Sequence, residues 1–346
     1  MADLRTSVTE AFRHRFGALP VHVVRAPGRV NLIGEHTDYN DGFVMPLAIE
    51  QAVWLAVRPR DDDRVILHST RATEPADFRL GAMERGDGWG EYAKGVAWAL
   101  QAQGHELRGL EGVLASDVPE GAGLSSSAAL ELAVARALSE GAGLDWDPAV
   151  MARTAQRAEN EWVGVRCGVM DQMASACGVA GHAVLLDCRS LAVTPTPLPA
   201  WTTVLVLDTG TRRGLVDSAY NARRETCERV ARVLGVPALR DATLDGLQVS
   251  EGALTPTQLH RARHVVTENA RVLAAAEAMR QGDAARLGAL MAASHASLRD
   301  DYEVSSPALD AFADAARAQN GCYGARMTGA GFGGCVVAPK QYRPIG

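Results

Sequence analysis

The sequence predicts a mixed α+β fold in two closely packed domains, each with its own hydrophobic core. In the first half of the chain, short β-branched runs alternate with stretches whose apolar residues recur at helical spacing. From 256 to 319 the sequence is rich in Ala, Leu, Arg and Glu, which is typical of several consecutive helices. Because 346 residues suffice for two domains of ordinary size, we place the domains at 1–180 and 181–346.

Individual elements follow from the same patterns. Strands are predicted for the β-branched runs at 21–25, 52–58, 64–68, 183–188 and 203–209. Helices are predicted where apolar residues repeat at helical spacing, at 91–103, 126–140 and 217–234. Near the C-terminus we expect a short strand, a glycine-rich turn and a second strand that begins at Cys335.

Composition narrows the class of protein. Hydrophobic residues make up 47% and charged residues 22%, as in globular proteins. The net charge of −6 argues against a broad nucleic-acid surface. The N-terminus lacks the apolar core of a secretory leader, and no stretch is long and apolar enough to span a bilayer. We therefore expect a cytoplasmic protein without nucleic-acid or membrane partners, whose six dispersed cysteines are reduced thiols.

Lysine is scarce, since it occurs only at Lys94 and Lys340, whereas arginine is abundant. The Walker loop and the strand lysine of protein kinases both need a lysine at a defined position. If this protein binds ATP, it has to hold the phosphates with backbone N–H groups, hydroxyls, a metal ion and arginine.

A glycine–serine segment at 117–132 (DVPEGAGLSSSAALEL) is the most informative part of the chain. Gly121 and Gly123 allow a tight turn, and the serines at 125–127 follow where a helical pattern begins. Exposed N–H groups and the dipole at a helix start attract an anion, and a serine hydroxyl there can also bind Mg²⁺. A turn followed by an ordinary serine N-cap is the alternative.

A polar loop at 25–42 (RAPGRVNLIGEHTDYNDG) follows the first predicted strand. It carries Glu35, His36, Asp38 and Asn40 in close succession, a mixture of donors and acceptors that suits a sugar. A solvated turn is one alternative, because turns also favour Asp, Asn and Gly. A metal site from His36 and Asp38 is another.

Two further segments are unusual. Asp171 is the only acid in a run of mostly small or apolar residues from 167 to 179, so it either caps a helix or serves chemistry. Glu159, in the preceding helix, is either functional or an ordinary surface acid. The segment 326–335 (RMTGAGFGGC) has four glycines in six residues, which indicates either backbone pressed against another element or ligand, or a tight structural turn.

Together these segments resemble the GHMP small-molecule kinases, and within that family the members that phosphorylate galactose. The likeness rests on R-A-P-G-R-V-N-L-I-G-E-H-T-D-Y-N-D-G-F-V-M-P (25–46), V-P-E-G-A-G-L-S-S-S-A-A-L-E (118–131), C-G-V-M-D-Q-M (167–173) and M-T-G-A-G-F-G-G-C (327–335). The fold that it implies has an N-terminal domain like domain 2 of ribosomal protein S5 and a ferredoxin-like C-terminal domain, with the active site in the cleft between them. The reaction that it implies is transfer of the γ-phosphate of ATP to the C1 hydroxyl of α-D-galactose, which gives galactose 1-phosphate in the first kinase step of galactose (Leloir) metabolism.

The resemblance also implies roles for individual residues. Asp171 would be the base that takes the sugar proton, and Arg29 would orient it and stabilise the transferring phosphoryl group. The residues at galactose would be Glu35, His36, Thr37, Asp38 and Tyr220. The nucleotide phosphates would be held by Gly121, Ala122, Gly123, Leu124, Ser125, Ser126 and Ser127, with Ser69 as a further nucleotide contact. Ser127 and Glu159 would bind Mg²⁺.

Two alternatives stay open beside this interpretation. One is a related kinase for N-acetylgalactosamine, arabinose or mevalonate, and the other is a kinase-like sugar sensor that acts through a regulator. The unbroken run at 35–38 favours galactose, and the intact serines and Asp171 favour an enzyme over a sensor. We expect a monomer. Family members continue past the third motif with a strand, a helix and a closing strand, so the ending at 341–346 predicts a shortened and less stable C-terminal domain.

Overall fold

The structure is a computed structural model that describes residues 3–199, 202–211 and 216–341. Contacts along the chain divide it into two units. The first consists of Met1–Gly28, Ile49–Pro119 and Ser125–Cys177, and the second of Arg29–Ala48, Glu120–Leu124 and Gly178–Gly346. Residues 29–42 of the polar loop and the glycines of the glycine–serine segment therefore belong to the second unit, whereas the serines that follow belong to the first.

The elements alternate as the sequence predicts. The strands are β1 (His22–Asn31), β2 (Phe43–Val44), β3 (Pro46–Pro59), β4 (Arg64–Ser69), β5 (Ala76–Arg79), β6 (Leu110–Ser116), β7 (His182–Asp187), β8 (Val193–Pro197), β9 (Thr202–Asp208), β10 (Arg326–Met327) and β11 (Cys335–Gln341). The helices are α1 (Leu4–Phe16), α2 (Gly90–Ala102), α3 (Ser126–Ala142), α4 (Pro148–Arg157), α5 (Met170–Cys177), α6 (Val216–Leu234), α7 (Leu244–Val249), α8 (Pro256–Gln281), α9 (Ala284–Asp300) and α10 (Pro307–Arg317). The mixed α+β prediction is confirmed.

The first unit is built on a five-stranded sheet with the order β1-β3-β6-β4-β5. Strands β4 and β6 are parallel, whereas β6 pairs with β3, and β4 with β5, in antiparallel fashion. Alternate residues of a strand point to opposite faces of the sheet. One face carries Ala56 and Val113 against Val8 and Phe12 of α1. The other face packs against α2, α3 and α4, so the sheet is covered on both sides.

The second unit contains two three-stranded sheets, with the orders β10-β11-β9 and β2-β7-β8. All pairs in both sheets are antiparallel. Helix α8 packs against both α6 and α9, and one apolar core joins residues from these helices, α10 and strands β10 and β11. Tyr302, directly after α9, is fully buried in this core.

Two expectations about the chain as a whole can be compared with these coordinates. None of the helices formed by residues 3–199, 202–211 and 216–341 combines the length and the apolarity that a bilayer crossing requires. All six cysteines are free thiols, as predicted, and Cys188, Cys227 and Cys335 are buried. The predicted shortening of the C-terminal domain falls largely on residues 342–346, which lie outside the described part of the chain.

Candidate active site

The glycine–serine segment makes the tight turn that its glycines predict. Gly121 and Gly123 have φ angles of 67° and 81°, in the left-handed region that glycine adopts without a side-chain clash. Ala122 and Leu124 between and after them are buried. Arg29 is bound to this turn within the second unit, because its Nη1 donates to the carbonyl oxygen of Gly123 at 2.5 Å and its backbone N–H to that of Leu124 at 3.1 Å.

Ser125 joins the serines to Asp171 inside the first unit. It occupies the N-cap position of α3 with φ of 60°, yet its side chain makes no capping hydrogen bond. Its hydroxyl instead donates to Oδ2 of Asp171 at 2.5 Å. The alternative of an ordinary serine N-cap is therefore wrong for Ser125. Asp171 itself lies in the first turn of α5, where it is only half-buried.

Ser127 and Glu159 also meet in the first unit. The Ser127 side chain is among the groups that oppose the burial-raised pKa of Glu159, which lies in a π-helical turn at Ala158–Val163 directly after α4. Such π-helical turns are often found at functional sites. Glu159 is 6% exposed, so the alternative that it is an ordinary surface acid is wrong.

A second buried acid lies behind Glu159. The side-chain amide of Gln172 donates to Oε2 of Glu159 at 2.7 Å and to Oε2 of Glu131 at 3.1 Å. Glu131 and Gln172 are both fully buried. Burial and the neighbouring charge of Glu159 raise the pKa of Glu131 well above its usual value. Burial, with a contribution from the charge of Asp171, raises the pKa of Glu159 to about 7.

This cluster fits a magnesium ion. Ser127 and Glu159 offer the hydroxyl and carboxylate oxygens that Mg²⁺ prefers, and a bound cation would offset the unfavourable burial of the Glu159 charge. Oε1 of Glu131 and Oε1 of Gln172 are buried and have no hydrogen-bond partner among the described residues. Over the same residues, no group of three or more His, Cys, Asp or Glu side chains is arranged to hold a metal. A divalent ion here would therefore rely on few protein ligands and on the nucleotide, as is usual for Mg²⁺.

The polar loop is held from behind by α8. Glu268 accepts the backbone N–H of Gly34 at 3.0 Å, Asn269 accepts that of Phe43 at 2.9 Å, and Nε2 of His264 lies 3.1 Å from the carbonyl oxygen of Glu35. Glu268 is fully buried, and the adjacent Arg271 guanidinium helps to hold the pKa of its carboxyl below the usual value despite burial. The middle of the loop and the residue after its end are thus tied to one helix.

Glu35 points into the protein. Its carboxylate forms an ion pair with Arg326, and its Oε1 accepts the backbone N–H of Gly329 at 2.9 Å. The two charged side chains are 1% and 0% exposed, and burial raises the pKa of Glu35 although Arg326 opposes that rise. The pair links the polar loop to the glycine-rich turn at 326–335.

The other predicted sugar residues lie close together in the second unit. The Thr37 hydroxyl is buried within hydrogen-bond distance of the carbonyl oxygens of Gly34 and Phe43, at 2.8 and 2.7 Å, so it closes the loop. Asp38 begins a short 3₁₀ turn and is 9% exposed. The ring of Tyr220, from α6, has its centroid 5.6 Å from that of His36.

Ser69 and the glycine-rich turn at 326–335 are the remaining predicted features. Ser69 ends β4, and its hydroxyl accepts the backbone N–H of Arg71 at 3.1 Å. In the glycine-rich turn, a Cβ added at Gly331 would lie 2.2 Å from the carbonyl oxygen of Val304, so the backbone is pressed against another element. This close approach explains the glycine there without a ligand.

Sequence reasoning missed two contributors to the site. The sequence patterns assign no role to Glu131 or to Gln172. The position of Glu131 did carry information, because residues four apart share one face of a helix and Glu131 follows Ser127 by four.

Three family models match the chain. They are the galactokinase galactose-binding signature over residues 10–59, the N-terminal domain of GHMP kinases over 91–179 and the C-terminal domain of GHMP kinases over 275–342. The first match covers the polar loop, and the second covers the glycine–serine segment, Glu159 and Asp171.

Similarity to known proteins extends over nearly the whole chain. The galactokinases of Chloroflexus aurantiacus and of a Roseiflexus species are each 48% identical to it over 335 residues, which are 95% of this chain and 86% of each relative. The structure of Lactococcus lactis galactokinase complexed with galactose superposes with a TM-score of 0.93 at 35% identity, covering 97% of this chain and 90% of that one. Mevalonate kinase of Methanococcus jannaschii, at 16% identity and a TM-score of 0.65 over 93% of this chain and 90% of that one, shares the fold. The predicted GHMP kinase fold is confirmed, and the chain belongs to the galactokinases of the GHMP kinase family.

Proposed function

We propose that Asp171 is the general base of this galactokinase. The enzyme phosphorylates the C1 hydroxyl of α-D-galactose with ATP, giving galactose 1-phosphate. In our proposal Asp171 takes the hydroxyl proton while the new O–P bond forms and the bond from the γ-phosphorus to ADP breaks. The observation that carries this proposal is the 2.5 Å hydrogen bond from Ser125, which aims the carboxylate from beside the serine segment. A positioned base contributes about 10²–10⁴-fold to a reaction rate.

The glycine–serine segment is proposed to bind the phosphates of ATP through backbone N–H groups and hydroxyls, using residues 121–127. Arg29 would supply the positive charge that a lysine provides in other nucleotide-binding loops. Its two hydrogen bonds to Gly123 and Leu124 support this role, because they fix the arginine relative to the turn. Phosphoryl transfer depends mainly on such alignment and on neutralising charge.

Ser127 and Glu159 are proposed to hold Mg²⁺, which, when bound, neutralises charge on the nucleotide phosphates. Gln172 supports Glu159 through its 2.7 Å hydrogen bond, as outer-shell groups commonly support metal ligands. For Ser69, nothing beyond the resemblance supports a nucleotide contact, so it stays a prediction.

Glu35, His36, Thr37, Asp38 and Tyr220 are proposed to form the sugar-binding part of the site. Glu35 and Thr37 in addition shape the loop, because their polar atoms bind Arg326, Gly329 and loop carbonyl groups. Four of these side chains cluster on one anchored loop, and the Tyr220 ring lies beside His36. This supports galactose recognition, since a sugar needs several donors and acceptors held in fixed positions.

A coupled assay of ADP release tests the proposal against its alternatives. The purified enzyme is supplied with Mg²⁺ and ATP and with galactose, N-acetylgalactosamine, arabinose or mevalonate in turn. We expect kcat/KM to be highest for galactose. A higher value for another alcohol would identify a kinase of different specificity, whereas sugar binding without ADP release would identify a sensor.

We further propose that the enzyme acts as a cytoplasmic monomer. Light scattering coupled to size-exclusion chromatography tests the second part, with a mass near the 36.7 kDa of one chain expected. A mass twice as large would contradict it.

A further inference from the structure

Four polar side chains of the second unit form a hydrogen-bonded series that ends at His36. The Tyr39 hydroxyl lies 2.8 Å from Nδ1 of His36, and 2.7 Å on its other side lies the Tyr302 hydroxyl. The Tyr302 hydroxyl lies 3.2 Å from Sγ of Cys227 on α6. Tyr302 and Cys227 are 0% and 1% exposed, so water does not compete for the contact between these two side chains.

The series also returns to the loop from which it starts. Asn40 of this loop donates from Nδ2 to the carbonyl oxygen of His36 at 2.9 Å. Burial raises the pKa of the Cys227 thiol, and the Asn40 side chain is among the groups that oppose this rise. His36 is thus bound at its side chain through Tyr39 and at its backbone through Asn40.

Two partners of the His36 ring favour one direction for the hydrogen bonds. Nε2 of His36 lies 3.3 Å from the carbonyl oxygen of Ala330, which can only accept. Nε2 therefore carries a proton, and in a neutral imidazole Nδ1 then has to accept. With a neutral imidazole, Tyr39 donates to His36, Tyr302 to Tyr39 and Cys227 to Tyr302, which is one of the two directions that the Tyr39–Tyr302 and Tyr302–Cys227 contacts allow.

The three donors keep their protons at neutral pH. Burial raises the pKa of Tyr39 and of Tyr302 well above the usual tyrosine value. Burial likewise raises the pKa of Cys227 above that of an exposed thiol. Each group can therefore donate one hydrogen bond and accept another, as the direction requires.

The backbone of His36 indicates why such support is needed. Its φ angle of 64° lies in the left-handed region, which residues with a side chain seldom adopt unless surrounding contacts hold them there. The Tyr302 ring is stacked 4.7 Å from the imidazole, centroid to centroid, and adds packing to the hydrogen bonds. His36 therefore sits in an uncommon backbone conformation with its ring enclosed.

We propose that Cys227, Tyr302 and Tyr39 form a one-directional relay that holds His36 as the Nε2–H tautomer, which makes it a fixed hydrogen-bond donor for a hydroxyl oxygen of the sugar. The inference rests on the proposed sugar site. The contact from Nε2 of His36 to the carbonyl oxygen of Ala330 is longer than the contacts within the relay. A sugar oxygen can therefore replace it without breaking the relay. Tyr39, Tyr302 and Cys227 are positioning residues, because they act through His36.

The tautomer can be observed directly, without any reaction. Heteronuclear NMR of the full chain with isotope-labelled histidine reports which ring nitrogen carries the proton, and the His36 signals are assigned by their loss in His36→Gln. We expect His36 at neutral pH to show a protonated Nε2 and a bare Nδ1. Tyr302→Phe, which removes only the hydroxyl, should produce averaging between tautomers. A protonated Nδ1 or averaged tautomers in the unchanged enzyme would overturn the proposal.

Kinetics provide the second test. Tyr302→Phe and Cys227→Ala should each raise the KM for galactose about fivefold to tenfold, as expected for losing one buried hydrogen bond, while the KM for ATP stays within about twofold. Cys227→Ser keeps a donor and an acceptor and should restore the galactose KM. Tyr92→Phe, on α2, is the matched control, because it removes a tyrosine hydroxyl outside the relay.

The two tests distinguish failure of the relay from failure of the proposed function. If the unchanged enzyme does not phosphorylate galactose, the proposed function fails, and the NMR result still decides the relay. If Tyr302→Phe alters the galactose KM no more than Tyr92→Phe does, or if Cys227→Ser behaves like Cys227→Ala, the relay is overturned. Thermal melting of each variant identifies any that do not fold, and the conservative Cys227→Ser then carries the comparison.

Discussion

The hydroxyl of Ser125 donates a 2.5 Å hydrogen bond to Oδ2 of Asp171. This contact joins residues 46 positions apart in the sequence and connects the N-terminal end of α3 to the first turn of α5. Ser125 adopts the left-handed φ of 60° at this point, and its side chain does not cap the helix. The Ser125 hydroxyl therefore binds the Asp171 carboxylate and does not cap α3.

Ser125→Ala should lower kcat about tenfold to a hundredfold, because hydrogen bonds to charged groups contribute about 1.5–3 kcal/mol. Ser139→Ala on the same helix is the matched control, since among the described residues the Ser139 hydroxyl bonds to the carbonyl oxygen of Ala135 and to Met151. The control should leave kcat unchanged. Equal rates for Ser125→Ala and the unchanged enzyme would show that Asp171 is oriented by other groups.

Ser127→Ala should raise the Mg²⁺ concentration needed for half-maximal activity about tenfold, because a ligand of the ion is lost. Nucleotide affinity measured without Mg²⁺ should stay the same, which separates loss of the metal from loss of the phosphate site. An unchanged metal titration would exclude Ser127 as a ligand.

The folded protein should lose stability in acid partly through His264. Burial lowers the pKa of His264 from 6.5 to about 4, so the neutral ring is favoured in the folded state. The stability gained from this difference is fully present above pH 6.5 and is lost as the pH falls through about 4. Its full size is about 3 kcal/mol. Urea unfolding at about pH 7.5 and pH 4.5 measures this difference. Between these two pH values, His264→Gln should lose less unfolding free energy than the unchanged protein does. The same pH dependence in both proteins would contradict this assignment.

Removing one charge of the buried Glu35–Arg326 pair should lower the unfolding free energy more than removing both charges. Arg326→Met leaves the Glu35 carboxylate buried without its cation, and the unfolding free energy should fall by about 3–5 kcal/mol. The double variant Glu35→Gln with Arg326→Met removes both charges and should recover part of that loss. Denaturant unfolding measures both, and a double variant less stable than Arg326→Met would contradict the prediction.

Local patterns predicted most of the elements because burial recurs with the period of each helix or strand. The runs at 52–58 and 64–68 lie within β3 and β4, and 126–140 lies within α3. The first strand was predicted to end at residue 25, because Pro27 and Gly28 are typical of a turn. In the structure, β1 continues to Asn31. Strand β1 lies at the edge of its sheet, where a proline is tolerated.

The parts of the site that depend on contacts between residues far apart in the sequence were not predicted. Asp171 was singled out because an acid among apolar neighbours needs a reason, whereas the role of Glu159 came only from the resemblance. Gln172 and Glu131 form their contact only when α3 and α5 pack together, and Cys227 and Tyr302 are 75 positions apart. Neither pair has a local periodicity that would reveal it, so side-chain networks of this kind emerge only from the folded chain.

The central claim is that Asp171 removes the proton of the attacking sugar hydroxyl, and Asp171→Asn tests it most directly. Single-turnover transfer from ATP to galactose and the affinity for ADP are measured on the same preparation of this variant. We predict a transfer rate lower by about 10²–10⁴-fold with ADP affinity nearly unchanged, because the amide keeps the shape of the carboxylate but cannot accept the proton. Transfer at the rate of the unchanged enzyme would contradict the account.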